Sequence, residues 1–88
     1  MKLILKTKYL KFHKAKKQNP KTMVYLVRTN DMRGILLGEI RWYVQWRQYG
    51  FYPVDGTVFE KTCLADLSDF CNKLNFYQRK LRNRRKNE

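Results

Sequence analysis

The 88-residue chain has one histidine, two cysteines, four glycines and two prolines, and seven acids against 20 lysines and arginines. Each scarcity removes a class of function. A lone His13 with no carboxylate beside it in a motif leaves no acid–base pair. With Cys63 and Cys71 distant in sequence, it also leaves no metal-ligand set. No glycine-rich phosphate loop is present. No apolar run approaches the ~20 residues of a membrane-spanning helix. The basic start MKLILK has an apolar piece too short for a signal peptide and no small-residue cleavage site after it.

The cysteines fall in one predicted helix. Eight positions at 1.5 Å rise put them roughly 12 Å apart, beyond disulfide reach. Both are expected to be reduced, half-buried small residues of a cytoplasmic protein. Asp66 and Asp69 are helix neighbours and are read as a solvated acidic face, not a cation site. No cofactor, no metal and no enzymatic activity are expected.

What is abundant is positive charge, formally +13, and it is unevenly placed. Residues 1–30 carry +9, residues 31–78 carry −1 and residues 79–88 carry +5. A near-neutral middle between two basic ends suits a polyanionic partner; a merely solubilising surface would intersperse the signs. The pattern divides the chain into a basic arm (1–21), a folded domain (22–78) and a basic tail (79–88).

Within the arm, residues 2–12 fit a strand or a helix equally well, because the apolar positions are too few to fix a period. His13 to Lys21 reads as a linker ending in an Asn19-Pro20 turn. Thr22–Thr29 is a strand with two largely apolar faces, so it is expected to be central or well covered. Asn30 to Gly34 is turn-forming.

The aromatic stretch 35–53, ILLGEIRWYVQWRQYGFYP, holds both tryptophans and is expected to be a β-hairpin. With Val44-Gln45 as a two-residue loop, Tyr43 pairs with Trp46 and Arg41 with Gln48. Ile40, Trp42, Arg47, Tyr49 and Phe51 then share one face, read as core. Glu39, Arg41, Tyr43, Trp46, Gln48 and Tyr52 share the other, read as an exposed aromatic-polar strip. Val-Gln disfavours the positive φ of a primed turn, so a longer loop and a shifted register stay open. A core role for both tryptophans stays open too. Beyond Asp55-Gly56, the spacing of Leu64, Leu67, Phe70, Cys71 and Leu74 predicts a helix to about Asn83, with Thr62 or Thr57 as N-cap. The predicted fold is α+β: a three-stranded antiparallel sheet on one C-terminal helix, β-β-β-α.

The block LGEIRWYVQWRQYGFYPVDGTVFEKTCLADLSDF, residues 37–70, resembles a family of short, largely uncharacterised proteins encoded by phages and mobile elements. The resemblance rests on its IRWY–WRQY hairpin, FYP strand end, TVF turn and CLADLSDF helix start. It implies a phage setting and carries no activity with it. The β-β-β-α order with a basic aromatic sheet is also similar, at the level of fold, to the arm-type DNA-binding domain of tyrosine integrases, which lays its sheet in the major groove.

The expected function is therefore non-enzymatic binding of DNA or RNA. Lys14, Lys16, Lys17, Arg79, Arg82, Arg84 and Arg85 would hold phosphates. Arg41, Tyr43, Trp46, Arg47 and Gln48 would stack on bases and hydrogen-bond their edges. The alternative is an interaction protein that uses the same strip as a hot spot for a host or defence protein. A structural part in a nucleoprotein particle is a third. No membrane partner is expected.

Overall fold

A computed structural model describes residues 2–16 and 21–86, with side chains to residue 82. The described segments form β1 (Lys2–Lys6), β2 (Leu10–Lys14), β3 (Tyr25–Thr29), β4 (Leu36–Tyr43), a 3₁₀ turn at Val44–Trp46, β5 (Gln48–Pro53) and the helix α1 (Lys61–Lys86). The strands make one antiparallel meander in the order β1-β2-β3-β4-β5. The α+β class with one C-terminal helix is as expected, but the sheet has five strands, not three. The two extra strands come from the segment read as a basic arm, and residues 79–86, read as a tail, continue α1. The expected Asn19-Pro20 turn lies outside the described residues.

Position in the sheet explains β3. It is the middle strand, paired along both edges; Tyr25 and Val27 point into the core, while Leu26 and Arg28 lie on the opposite face. β2 supplies Leu10 and Phe12, both fully buried. The lysines between and around these two residues disguise the strand in sequence. Asn30 ties the β1–β2 turn to the end of β3: its backbone N–H donates to the Tyr9 carbonyl (2.8 Å) and its side-chain Nδ2 to the Thr7 carbonyl (2.7 Å).

The helix covers one face of this sheet. Cys63, Leu67 and Phe70 meet Leu10, Phe12, Tyr25, Val27, Ile40 and Tyr49 in a single core, with Trp42, Phe51, Phe59, Cys71 and Leu74 packed around it. Phe70 is the central piece. Its ring stacks on Phe12 (centroids 4.4 Å apart, 21° between planes) and takes Tyr25 edge-on at 5.1 Å. Phe51 lies across Gly38, where an added Cβ would come within 2.8 Å of its ring.

Glu60, not Thr62 or Thr57, caps α1. Its carbonyl accepts the Leu64 N–H (3.0 Å) and its Oε1 accepts the Cys63 N–H (2.6 Å). A longer side chain than the usual caps therefore satisfies one of the helix's unpaired N–H groups. Thr57 instead donates its hydroxyl to the Val54 carbonyl.

Two predictions follow from this packing. Phe70→Ala should cost about 3–5 kcal/mol, most of the stability of so small a domain, and should be read as a collapse of the urea midpoint. The Cys63 N–H bond holds the Glu60 carboxyl below its ordinary range. A depressed folded-state pKa gives stability that is present above the unfolded value, about 4.3, and is lost as pH falls through the folded one. The thermal midpoint of the parent should therefore drop more steeply below about pH 4.3 than that of Glu60→Gln.

Candidate nucleic-acid interface

The hairpin turns over four residues rather than two. Tyr43 pairs with Gln48, Trp42 with Tyr49 and Arg41 with Gly50. The register is thus displaced by two from the expected one. Because side chains alternate with a period of two, that displacement leaves each strand residue on its expected face. Ile40, Trp42, Tyr49 and Phe51 face the helix. Glu39, Arg41, Tyr43, Gln48 and Tyr52 lie on the opposite face, which no described element covers.

Two residues change place. Trp46, expected opposite Tyr43 in the ladder, and Arg47, expected on the core face, are both in the turn. Trp46 is 72% exposed and stands edge-on to Tyr43 at 5.0 Å. Arg47 closes the 3₁₀ turn in the left-handed region, φ 52° and ψ 47°, and its N–H donates to the Val44 carbonyl (3.2 Å). Among the described residues it is the sole non-glycine with positive φ. Glycine or asparagine would hold this conformation at lower cost.

On the uncovered face Arg41 lies over the Tyr52 ring at 4.0 Å and pairs with Glu39 at 3.3 Å. Tyr52 in turn meets Tyr43, with centroids 6.4 Å apart. Further along this face Lys6, Lys11 and Arg28 occupy matched positions on β1, β2 and β3. Lys11 Nζ donates to the Asp31 carbonyl (3.3 Å) and Arg28 to the Gly34 carbonyl (3.0 Å), so both brace the β3–β4 loop. The loop is stiffened from within by Asp31, whose Oδ1 accepts from the Thr29 hydroxyl and from the N–H groups of Arg33 and Gly34. The Thr29 bond, foremost, lowers the Asp31 carboxyl pKa. His13 shares the face. Desolvation, then Lys11 and Arg28, push its pKa down, and among the described residues its Nδ1 has no hydrogen-bond partner.

The hairpin tip also meets the second half of α1. Tyr49 N–H donates to Asn75 Oδ1 at 2.6 Å, fastening the outer edge of β5 to the helix. Gln78 Nε2 donates to the Lys21 carbonyl at 3.4 Å, drawing the approach to β3 to the same place. Two open grooves result. One, of about 440 Å³, runs along β5 and is walled by Tyr43, Trp46 and Tyr52 on one side and by Ser68, Cys71, Asn72 and Asn75 on the other. The second, of about 270 Å³, shares Gln48, Asn72 and Asn75 with the first and is lined by Arg47, Arg79 and Arg82. Among the described residues no acidic side chain lines either groove. A third hollow beside them adds Lys21 to Arg82.

Of the residues expected from sequence, Tyr43, Trp46, Arg47, Gln48, Arg79 and Arg82 come together here. Arg41 lies on the open face of the same hairpin. Lys14 does not join them: it sits half-buried at the end of β2, paired with Tyr25. Lys16 is exposed beyond β2. Lys17 and the side chains of Arg84 and Arg85 lie outside the described residues. Asn72, Asn75 and Lys21 were not anticipated. The spacing of Asn72, Asn75, Arg79 and Arg82, at steps of three, four and three, is the signal that marks them as one helix face.

Burial pushes the thiols of Cys63 and Cys71 up, so neither is primed as a thiolate. Among the described residues no group of His, Cys, Asp or Glu is placed to hold a metal ion, and no helix is long and apolar enough to cross a membrane.

Arg47→Gly separates stability from site chemistry. Relief of the left-handed strain should leave the thermal midpoint unchanged or higher, although it deletes a cation from the groove; a clear fall would show that the Arg47 side chain holds the turn. Comparison with known proteins leaves these residues to speak for themselves, since no family model, no curated protein and no solved structure matches the chain.

Proposed function

We propose that this chain is a non-enzymatic nucleic-acid-binding protein, in the phage or mobile-element setting that the 37–70 block implies. Its main contact surface on this reading is the cleft between the hairpin tip and the second half of α1. The observation that carries the proposal is the convergence of Arg47, Arg79 and Arg82 on one groove with no acid in its lining. Three guanidiniums with no anionic partner among the described residues repel one another, and each offers a planar fork of donors suited to phosphate oxygens. Aromatic rings border the same cleft, which fits nucleic acid better than a simple anion. Lys6, Lys11 and Arg28 extend positive potential over the open sheet face and would steer a polyanion toward it.

Fluorescence anisotropy of labelled oligonucleotides, titrated from low to physiological salt, tests the reading. Affinity should fall steeply with salt, as counterion release requires. Arg79→Ala with Arg82→Ala should lower the slope of log K against log salt by roughly 1 per lost phosphate contact, with the fold intact because both side chains are exposed. Binding no tighter than ~10⁻⁴ M at physiological salt, the weak end of non-specific association, would refute the proposal.

A further inference from the structure

We infer that the ligand is single-stranded and that the groove along β5 receives one unpaired base, while Arg47, Arg79 and Arg82 hold the phosphate next to it. The inference rests on the nucleic-acid reading above and narrows it. Three observations carry it.

The first is the width of the sheet. Five strands at ~4.8 Å spacing span about 19 Å, whereas the major groove of B-DNA is about 12 Å wide. A three-stranded sheet, about 10 Å across, could lie face-on in that groove. The five-stranded sheet, formed because β1 and β2 belong to it, cannot.

The second is the state of the rings. Trp46 is 72% exposed, braced edge-on by Tyr43, and has no place in the core. A large apolar surface exposed to water, beside cations, is suited to stacking on another flat ring. A duplex keeps its base faces stacked on one another, so it offers none; an unpaired base offers one.

The third is the way the grooves join. The aromatic groove is at the small end of ligand sites, roughly 300–1,000 Å³, which suits one nucleoside and not a run of stacked pairs. Its far wall carries two amides, Asn72 and Asn75, beside Ser68 and Cys71. Asn75 spends its Oδ1 on the Tyr49 N–H, so its Nδ2 remains as the donor group for the edge of a base. Gln48, Asn72 and Asn75 line both grooves, which makes the aromatic and arginine-lined spaces contiguous, as the base and phosphate of one nucleotide are.

The test compares four labelled ligands of roughly 12 nucleotides, within the span of small single-strand modules: oligothymidylate, an abasic deoxyribose-phosphate strand, oligouridylate and a DNA duplex. Each is titrated against the full chain, Trp46→Ala and the Arg79→Ala/Arg82→Ala pair. Trp46 is exposed, so its removal leaves the fold in place. Oligothymidylate or oligouridylate should bind the parent at least about tenfold tighter than the abasic strand or the duplex, a factor in keeping with one stacked base. The tighter of the two names the sugar. Trp46→Ala should erase that advantage and leave the abasic affinity unchanged, and tryptophan emission of the parent should change with bases but not with the abasic strand. Equal affinity for abasic and base-bearing strands, or duplex binding as tight as single-strand binding, would overturn the inference. If the arginine pair still weakened all ligands alike, the phosphate reading would survive that outcome. No binding to any of the four would remove both.

Discussion

The seating of Phe70 between Phe12 and Tyr25 is the contact on which the rest of the molecule depends. It joins the helix to β2 and β3 at once. Aromatic pairs in such geometries add about 0.5–1.5 kcal/mol each beyond their buried area. More important is what the seating fixes. With Phe70 anchored, the first half of α1 closes the core and the second half runs on past β5. Asn75 then reaches Tyr49, and Arg79 and Arg82 arrive at the hairpin tip. The position of the arginine groove is thus set by hydrophobic packing two to three turns earlier in the helix.

The elements with strong local signals were legible in the sequence, and those decided by distant partners were not. The strand expected over Thr22–Thr29 forms over Tyr25–Thr29, marked by its apolar residues, and the hairpin is marked by its aromatic alternation. Leu10 and Phe12 gave too short a pattern among lysines. Only pairing of β2 with β3, and the presence of Phe70 above them, makes that segment a strand. Val-Gln disfavours a two-residue loop, and the longer turn left open by the sequence is a 3₁₀ turn closed by a left-handed Arg47. The strand residues kept their faces only because the register moved by an even number. Glu60 escaped notice as a cap because the preference for short polar side chains points to threonine first.

The site was legible in pieces. Each hairpin residue, and Arg79 and Arg82, could be singled out by type, but as two independent features: an aromatic strip and a basic tail. Their meeting is a tertiary fact. It also recasts the charge imbalance of the sequence. Part of the C-terminal charge is carried on a helix, where cations near the C-terminal end interact favourably with the helix dipole and are presented at fixed spacing. Part of the N-terminal charge is woven into a sheet, where Lys11 and Arg28 brace a loop as well as charging the surface.

The bond from Tyr49 N–H to Asn75 has a consequence for how the protein can change over time. An open meander has two raw edges, each able to recruit a neighbouring chain. At one, β1 carries Lys2 and Lys6 on either side of its apolar centre. At the other, β5 ends in Pro53, and Asn75 occupies one of its backbone donors. Asn75 therefore removes one donor that a neighbouring strand could use and also forms part of the groove wall. A substitution at this position would alter the sheet edge and the groove wall at once.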